Sequence, residues 1–148
     1  MIPIKMIIPG EPVSKGRPRF RTTKAGYVIT YTPPKTKKEE TRLSNHFQKF
    51  IGLGFYNFPM EVVEKMKIVW YFKRPQRLKR KSSPSGPIPH TMKPDLDNLL
   101  KLPLDAMKGH ILVDDCKIYK MEIEKYYCAL GGTPRMEIEI WKTNESTN

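Results

Sequence analysis

The spacing of apolar residues divides the chain into a short series of elements. Ile2, Ile4, Met6 and Ile8 alternate along residues 2–8 and predict a strand. A second short strand is expected over 27–31, after a turn near Gly26. Beyond Pro33 and Pro34, Leu43, Phe47, Phe50 and Ile51 form one stripe at helical spacing, ended by Gly52 and Gly54. Thr36, followed three residues later by Glu39, has the pattern of a capping box for that helix. Residues 62–73 give the clearest strand, with Met66, Ile68, Trp70 and Phe72 on one face and Lys65, Lys67 and Lys73 on the other.

A second amphipathic helix is marked by Leu96, Leu99, Leu100, Leu104 and Met107, which recur at i, i+3, i+4, i+8 and i+11. Asp95 stands where its N-cap belongs, and Gly109 where it should stop. Pro103 deletes the bond to the Leu99 carbonyl, so the helix must kink there or replace that bond. Alternation returns in Tyr119, Met121 and Ile123, and again in Met136, Ile138 and Ile140. The ALGGTP turn between these runs predicts an antiparallel hairpin. Residues 143–148 read as a frayed tail. The fold class is α+β: a mostly antiparallel or mixed β-sheet with two main helices packed on it.

Length and charge narrow the picture. A chain of 148 residues reads as one domain, residues 1–148. No apolar run approaches the ~20 residues of a membrane span, and the first ten residues lack the layout of a signal peptide. Cys116 and Cys128 make neither a disulfide framework nor a metal-ligand spacing, and His46, His90 and His110 are scattered. A reduced, cytoplasmic protein without zinc is expected. The net charge of +12 is unevenly placed: residues 1–93 hold 20 Lys/Arg and 5 Asp/Glu, whereas residues 94–148 hold 7 and 10. A basic majority handing over to an acidic cluster points to polyanion binding beside a metal site.

Two basic stretches stand out. In PGEPVSKGRPRF, five Pro and Gly residues forbid regular structure. Lys15, Arg17, Arg19 and Arg21 alternate along that extended backbone, as in an arm that holds phosphates. Residues 74–92 carry Arg74, Arg77, Lys79, Arg80 and Lys81, followed by Ser, Pro and Gly. That composition suggests a mobile basic loop, which leads through Lys93 straight into the acidic cluster.

The cluster itself lies in KPDLDNLLKLPLDAMKGHILVDD, residues 93–115. An N-cap residue is still extended, so Asp95 and Asp97 can converge at the helix start, where the dipole favours negative charge. Asp114 or Asp115 would join them from the following strand. Such oxygen ligands suit a hard cation, Mg²⁺ or in its place Mn²⁺. Asp105 lies eight residues beyond Asp97, ~12 Å along the axis. It is too far to share the ion and is expected to pair with Lys101 or a residue of the basic arm. Asn98 is placed to support the N-cap or a ligand carboxylate.

These residues resemble a known family. KPDLDNLLK, then LDAMKG, then DD ahead of a strand, is similar to the RusA family of Holliday junction resolvases, and PGEPVSKGRPRF resembles that family's opening segment. The resemblance implies a RusA-like fold and a homodimer that nicks branched DNA symmetrically. It implies catalysis by Asp95, Asp97 and Asp115 as metal ligands, with Lys101 near the scissile phosphate. It also favours Asp115 over Asp114, which strand alternation leaves undecided. Rival readings are another metal-dependent nuclease for branched DNA and a DNA-binding protein without catalysis. A small phosphoester hydrolase suits the broad basic field poorly.

Overall fold

The computed structural model describes residues 2–143, so the tail expected at 143–148 lies outside the described residues from 144 onward. β1 (Ile4–Pro9) buries Ile4, Met6 and Ile8 and exposes Lys5 and Ile7, as its alternation requires. β4 (Val63–Phe72) is the longest strand and lies at the centre of a five-stranded sheet. One neighbour is β7 (Arg135–Lys142), antiparallel to it, and the other is β6 (Met121–Tyr127), parallel to it. β1 closes one edge against β7, and the two-residue β5 (Ile88–Pro89) closes the other against β6. A separate two-stranded hairpin joins β2 (Arg19–Thr22) to β3 (Val28–Tyr31).

Two helices, α1 (Pro34–Gly52) and α2 (Leu96–Met107), cover one face of the sheet. Leu43 and Phe47 from α1, with Leu99, Leu102 and Met107 from α2, join Met66, Ile68, Trp70, Ile138 and Ile140 in one core. Each such buried side chain contributes about 1.5–3 kcal/mol. The opposite face carries paired charges: Lys65 with Glu122 (2.8 Å), Lys67 with Glu124 (3.2 Å) and Lys5 with Glu139 (3.8 Å). Among the described residues no helix is long and apolar enough to cross a membrane.

The expected hairpin between β6 and β7 does not form, because β4 lies between them. Direct pairing would set the glutamates at 122 and 124 against those at 137 and 139, and like charges opposed across strands repel. β4 instead offers lysines to both neighbours. The capping box is also absent. α1 starts on Pro34, whose missing N–H suits the first turn, and Thr36 is buried inside it. Regular structure resumes earlier than the prolines suggest, since Arg19–Thr22 pairs as a strand. Pro103 is buried within α2, which continues unbroken from 96 to 107.

Arg74 is only 3% exposed. Its guanidinium donates to the carbonyls of Cys128 (2.9 Å), Leu78 (3.3 Å), Pro84 (2.6 Å) and Gly86, tying residues 74–86 to the end of β6. Replacing it by Met strands several acceptors, each at a cost of about 1–3 kcal/mol. Arg74→Met is therefore expected to lose about 3 kcal/mol or more of stability, read as a lower urea midpoint at a similar m-value.

His90 lies between the rings of Phe72 and Tyr127, each 4.4 Å away, and its Nδ1 has no hydrogen-bond partner among the described residues. Burial, and then the charge of Lys125, pushes its pKa below the ordinary 6.5. Protonation thus favours the unfolded chain. The stability His90 contributes is complete above pH 6.5 and is lost as pH falls through the depressed folded value. His90→Phe should flatten that acid-side decline in a series of urea titrations, leaving the part due to His46, which is shifted the same way.

Candidate active site and nucleic-acid interface

The basic arm is docked by its backbone. The Gly10 N–H donates to the Pro134 carbonyl (3.0 Å), the Lys15 N–H to the Asn98 carbonyl (3.2 Å), and the Gly16 N–H to Thr36 Oγ1 (2.9 Å). Thr36 is thus an arm clamp. Gly16 permits the approach, since a Cβ there would meet the Thr36 hydroxyl at 2.8 Å. Lys15 turns inward, and its Nζ pairs with Asp105 at 2.7 Å. That pair meets the expectation that Asp105 serves an arm residue, but it takes Lys15 out of the phosphate-facing set. Arg17, Arg19 and Arg21 beyond it are exposed, with no hydrogen bond or ion pair among the described residues.

Of the second basic stretch, Arg74 is spent on carbonyls and faces inward. Lys79, Arg80, Lys81 and Lys93 are exposed, and the exposed Arg77 reaches Met92 Sδ at 3.5 Å. Lys125 then sets the start of α2. From the helix-facing side of β6 its Nζ donates to the carbonyls of Met92 (2.5 Å) and Pro94 (2.6 Å), just before Asp95. A lysine in the inward phase of Met121, Ile123 and Tyr127 is the sequence signal for this role.

Asp95 occupies the N-cap position with extended backbone, as expected, yet its side chain accepts no capping hydrogen bond. Asp97 lies in the first turn, and both carboxylates are exposed with no ion pair among the described residues. Lys101 is exposed as well and touches Asn98 Oδ1 at 3.4 Å, so Asn98 steadies a lysine rather than a carboxylate. Asp114 and Asp115 do not lie on a strand. Asp114 caps a short 3₁₀ turn, Asp115–Lys117, by accepting the Asp115 N–H at 2.7 Å. Hydrogen bonding with Asp115, through its side chain and then through that N–H, holds the Asp114 carboxyl below its ordinary range.

Lys108, which sequence reasoning missed, approaches three carboxylates: Asp115 (3.5 Å), Asp105 (3.8 Å) and Asp114 (3.9 Å). Its position three residues after Asp105 was the available signal. Among the described residues no three His, Cys, Asp or Glu side chains are grouped so that they could hold a metal ion. The predicted trio of Asp95, Asp97 and Asp115 is therefore not assembled, and Asp115 is engaged with Lys108. The donor chemistry nonetheless fits a hard divalent cation, since all three are carboxylates and the two at the start of α2 have no ion-pair partner among the described residues.

The Lys15–Asp105 pair predicts a measurable coupling between arm and helix. Both side chains are about one-third exposed, so the pair contributes ~1 kcal/mol or less to global stability. Asp105→Asn is expected to speed hydrogen exchange at the Lys15 and Gly16 amides several-fold, while the midpoint of urea unfolding moves little.

Comparison with known proteins agrees with this layout. A family model described as Endodeoxyribonuclease RusA matches residues 9–141, from the start of the arm into the last strand, β7. A Bacillus subtilis (strain 168) protein described as "Uncharacterized protein YqaN" is 32% identical over 142 residues, covering 93% of this chain and 94% of its own. With its arm, its Asp95–Asp97 helix start and the central strand β4 all inside the matched span, the chain belongs to the RusA endodeoxyribonuclease family.

Proposed function

We propose that this protein is a structure-specific endodeoxyribonuclease that resolves four-way DNA junctions by paired symmetric nicks, in recombination and repair. The observation that carries the reading is the start of α2, where Asp95 and Asp97 stand exposed and uncapped in a chain of this family. A helix N-cap aspartate ordinarily satisfies an N–H of its own first turn. Here that carboxylate is left free beside a strongly basic surface.

In this reading Asp95, Asp97 and Asp115 hold Mg²⁺, with Mn²⁺ able to replace it. Such an ion supplies an activated water and neutralises charge on the phosphoryl oxygens. Ligation by Asp115 would exchange the ammonium of Lys108 for the cation. Lys101, steadied by Asn98, presents a positive charge to the phosphate, where it stabilises the transition state more than the ground state. Arg17, Arg19, Arg21, Arg77, Lys79, Arg80, Lys81 and Lys93 hold the backbone of the DNA. Lys15 serves by fixing the arm to Asp105 rather than by touching phosphate. A four-way junction has approximate two-fold symmetry, which a two-fold homodimer with one site per subunit matches. A cytoplasmic location, with DNA as the partner, follows from the same reading.

The rival reading is junction binding without cleavage. The deciding experiment uses a synthetic four-way junction, each strand end-labelled in turn, in millimolar Mg²⁺ or Mn²⁺. Paired symmetric cuts are expected from the wild type. Asp95→Asn should keep junction affinity and lose cleavage about 100-fold or more, beyond the 10–100-fold loss typical of a group that merely supports a metal ligand. Binding by both proteins with cutting by neither would leave a DNA-binding protein. Equal cutting of linear duplex would make it a general nuclease.

A further inference from the structure

The β2–β3 hairpin stands apart from the rest of the fold. It belongs to neither the main sheet nor the helical layer, and its extensive contacts are internal. A two-stranded hairpin is at best marginally stable alone in water, so an exposed one is built to meet something. Cross-strand partners share a face, and the register pairs Arg19 with Tyr31, Phe20 with Thr30, Arg21 with Ile29 and Thr22 with Val28. One face therefore carries Arg19, Arg21, Tyr31 and Ile29. The other carries Phe20, Val28 and two threonines, without a charge.

Phe20 is 69% exposed and Val28 67%. Neither belongs to the core, and both lie on the uncharged face. The surroundings identify the occupant: residues 12–38 contain eight Lys/Arg and no Asp/Glu. An apolar protein groove would gain nothing from such a field, whereas a phosphate backbone would. Aromatic side chains carried on a basic segment are the means by which proteins stack on single bases while cations, here on the opposite face of the ribbon, hold the strand. Paired duplex keeps its bases stacked and closed to Phe20. A branch point does not, because stacking is interrupted where the strands exchange.

We infer that the hairpin is a branch-sensing ribbon in which Arg19 and Arg21 take phosphates and Phe20, flanked by Val28, stacks on a base unstacked at the branch point. This rests on the nucleic-acid reading above and goes beyond it, by assigning the discrimination between branched and linear DNA to a side chain outside the acidic cluster. The charge on the ribbon gives affinity for any duplex, and Phe20 adds binding only where a base is available.

The test uses the full chain in EDTA, so that no strand is cut. Four-way junctions carry 2-aminopurine at the branch point, and a linear duplex of the same sequence serves as control. Wild type should lower 2-aminopurine emission in the junction, as the unstacked base is taken against the ring, and leave the duplex unchanged. Phe20→Ala should abolish that drop and weaken junction affinity about 5- to 150-fold, the range for loss of one stacked base, with duplex affinity unchanged. Phe20→Tyr should retain both properties, which separates stacking from any effect on hairpin folding. Arg19→Ala should weaken junction and duplex alike and reduce the salt slope by about 1. A Phe20→Ala protein that binds and reports on the junction like wild type would overturn the assignment while leaving the nuclease reading intact. A change in oligomeric state on Phe20→Ala would overturn it in favour of a contact between copies of this chain. A wild type that binds neither junction nor duplex would remove the nucleic-acid reading itself.

Discussion

The structure depends on the two faces of one strand. β4 buries Met66, Ile68, Trp70 and Phe72 beneath the helices and turns Lys65 and Lys67 outward. The apolar face nucleates the core, and the cationic face selects neighbours. β6 and β7 each present glutamates on that side, so each is more stable beside β4 than beside the other. The order β1-β7-β4-β6-β5 follows, with β6 parallel to β4 although β7 is not.

That order has a consequence for the site. With β6 beside β4, Lys125 lies on the helix-facing side near the start of α2 and holds the Met92 and Pro94 carbonyls. The strand thereby positions Asp95 without touching it. The basic arm is fixed in a similar way from the other direction, through Thr36, Asn98 and Asp105. Charges that look equivalent along the chain are thus divided. Lys15, Arg74, Lys108 and Lys125 are engaged within the protein, while Arg17, Arg19, Arg21 and the 79–81 group face solvent.

Much of this was legible beforehand, for identifiable reasons. The α+β class, both helices, the central strand and the uncoiled arm all rest on local periodicity or on proline and glycine, which act within a few residues. Asp95 and Gly109 were readable as helix boundaries because cap geometry is local. Thr36 misled because its sequence spacing satisfies a capping box, while its hydroxyl serves an amide twenty residues away. Arg74 misled because composition cannot separate a buried guanidinium that binds carbonyls from an exposed one.

The amino-acid order alone therefore determined the elements, the family-like acidic motif and the asymmetry of charge, since each is a property of neighbouring residues. Tertiary structure decided which strands pair, which cations are spent inside the protein, and that Asp95 stands uncapped while Asp115 meets Lys108. It also left the β2–β3 ribbon outside the core with Phe20 exposed. Those outcomes turn on contacts between residues far apart in sequence, where like-charge repulsion, carbonyl satisfaction and burial compete, and no local pattern records which of them wins.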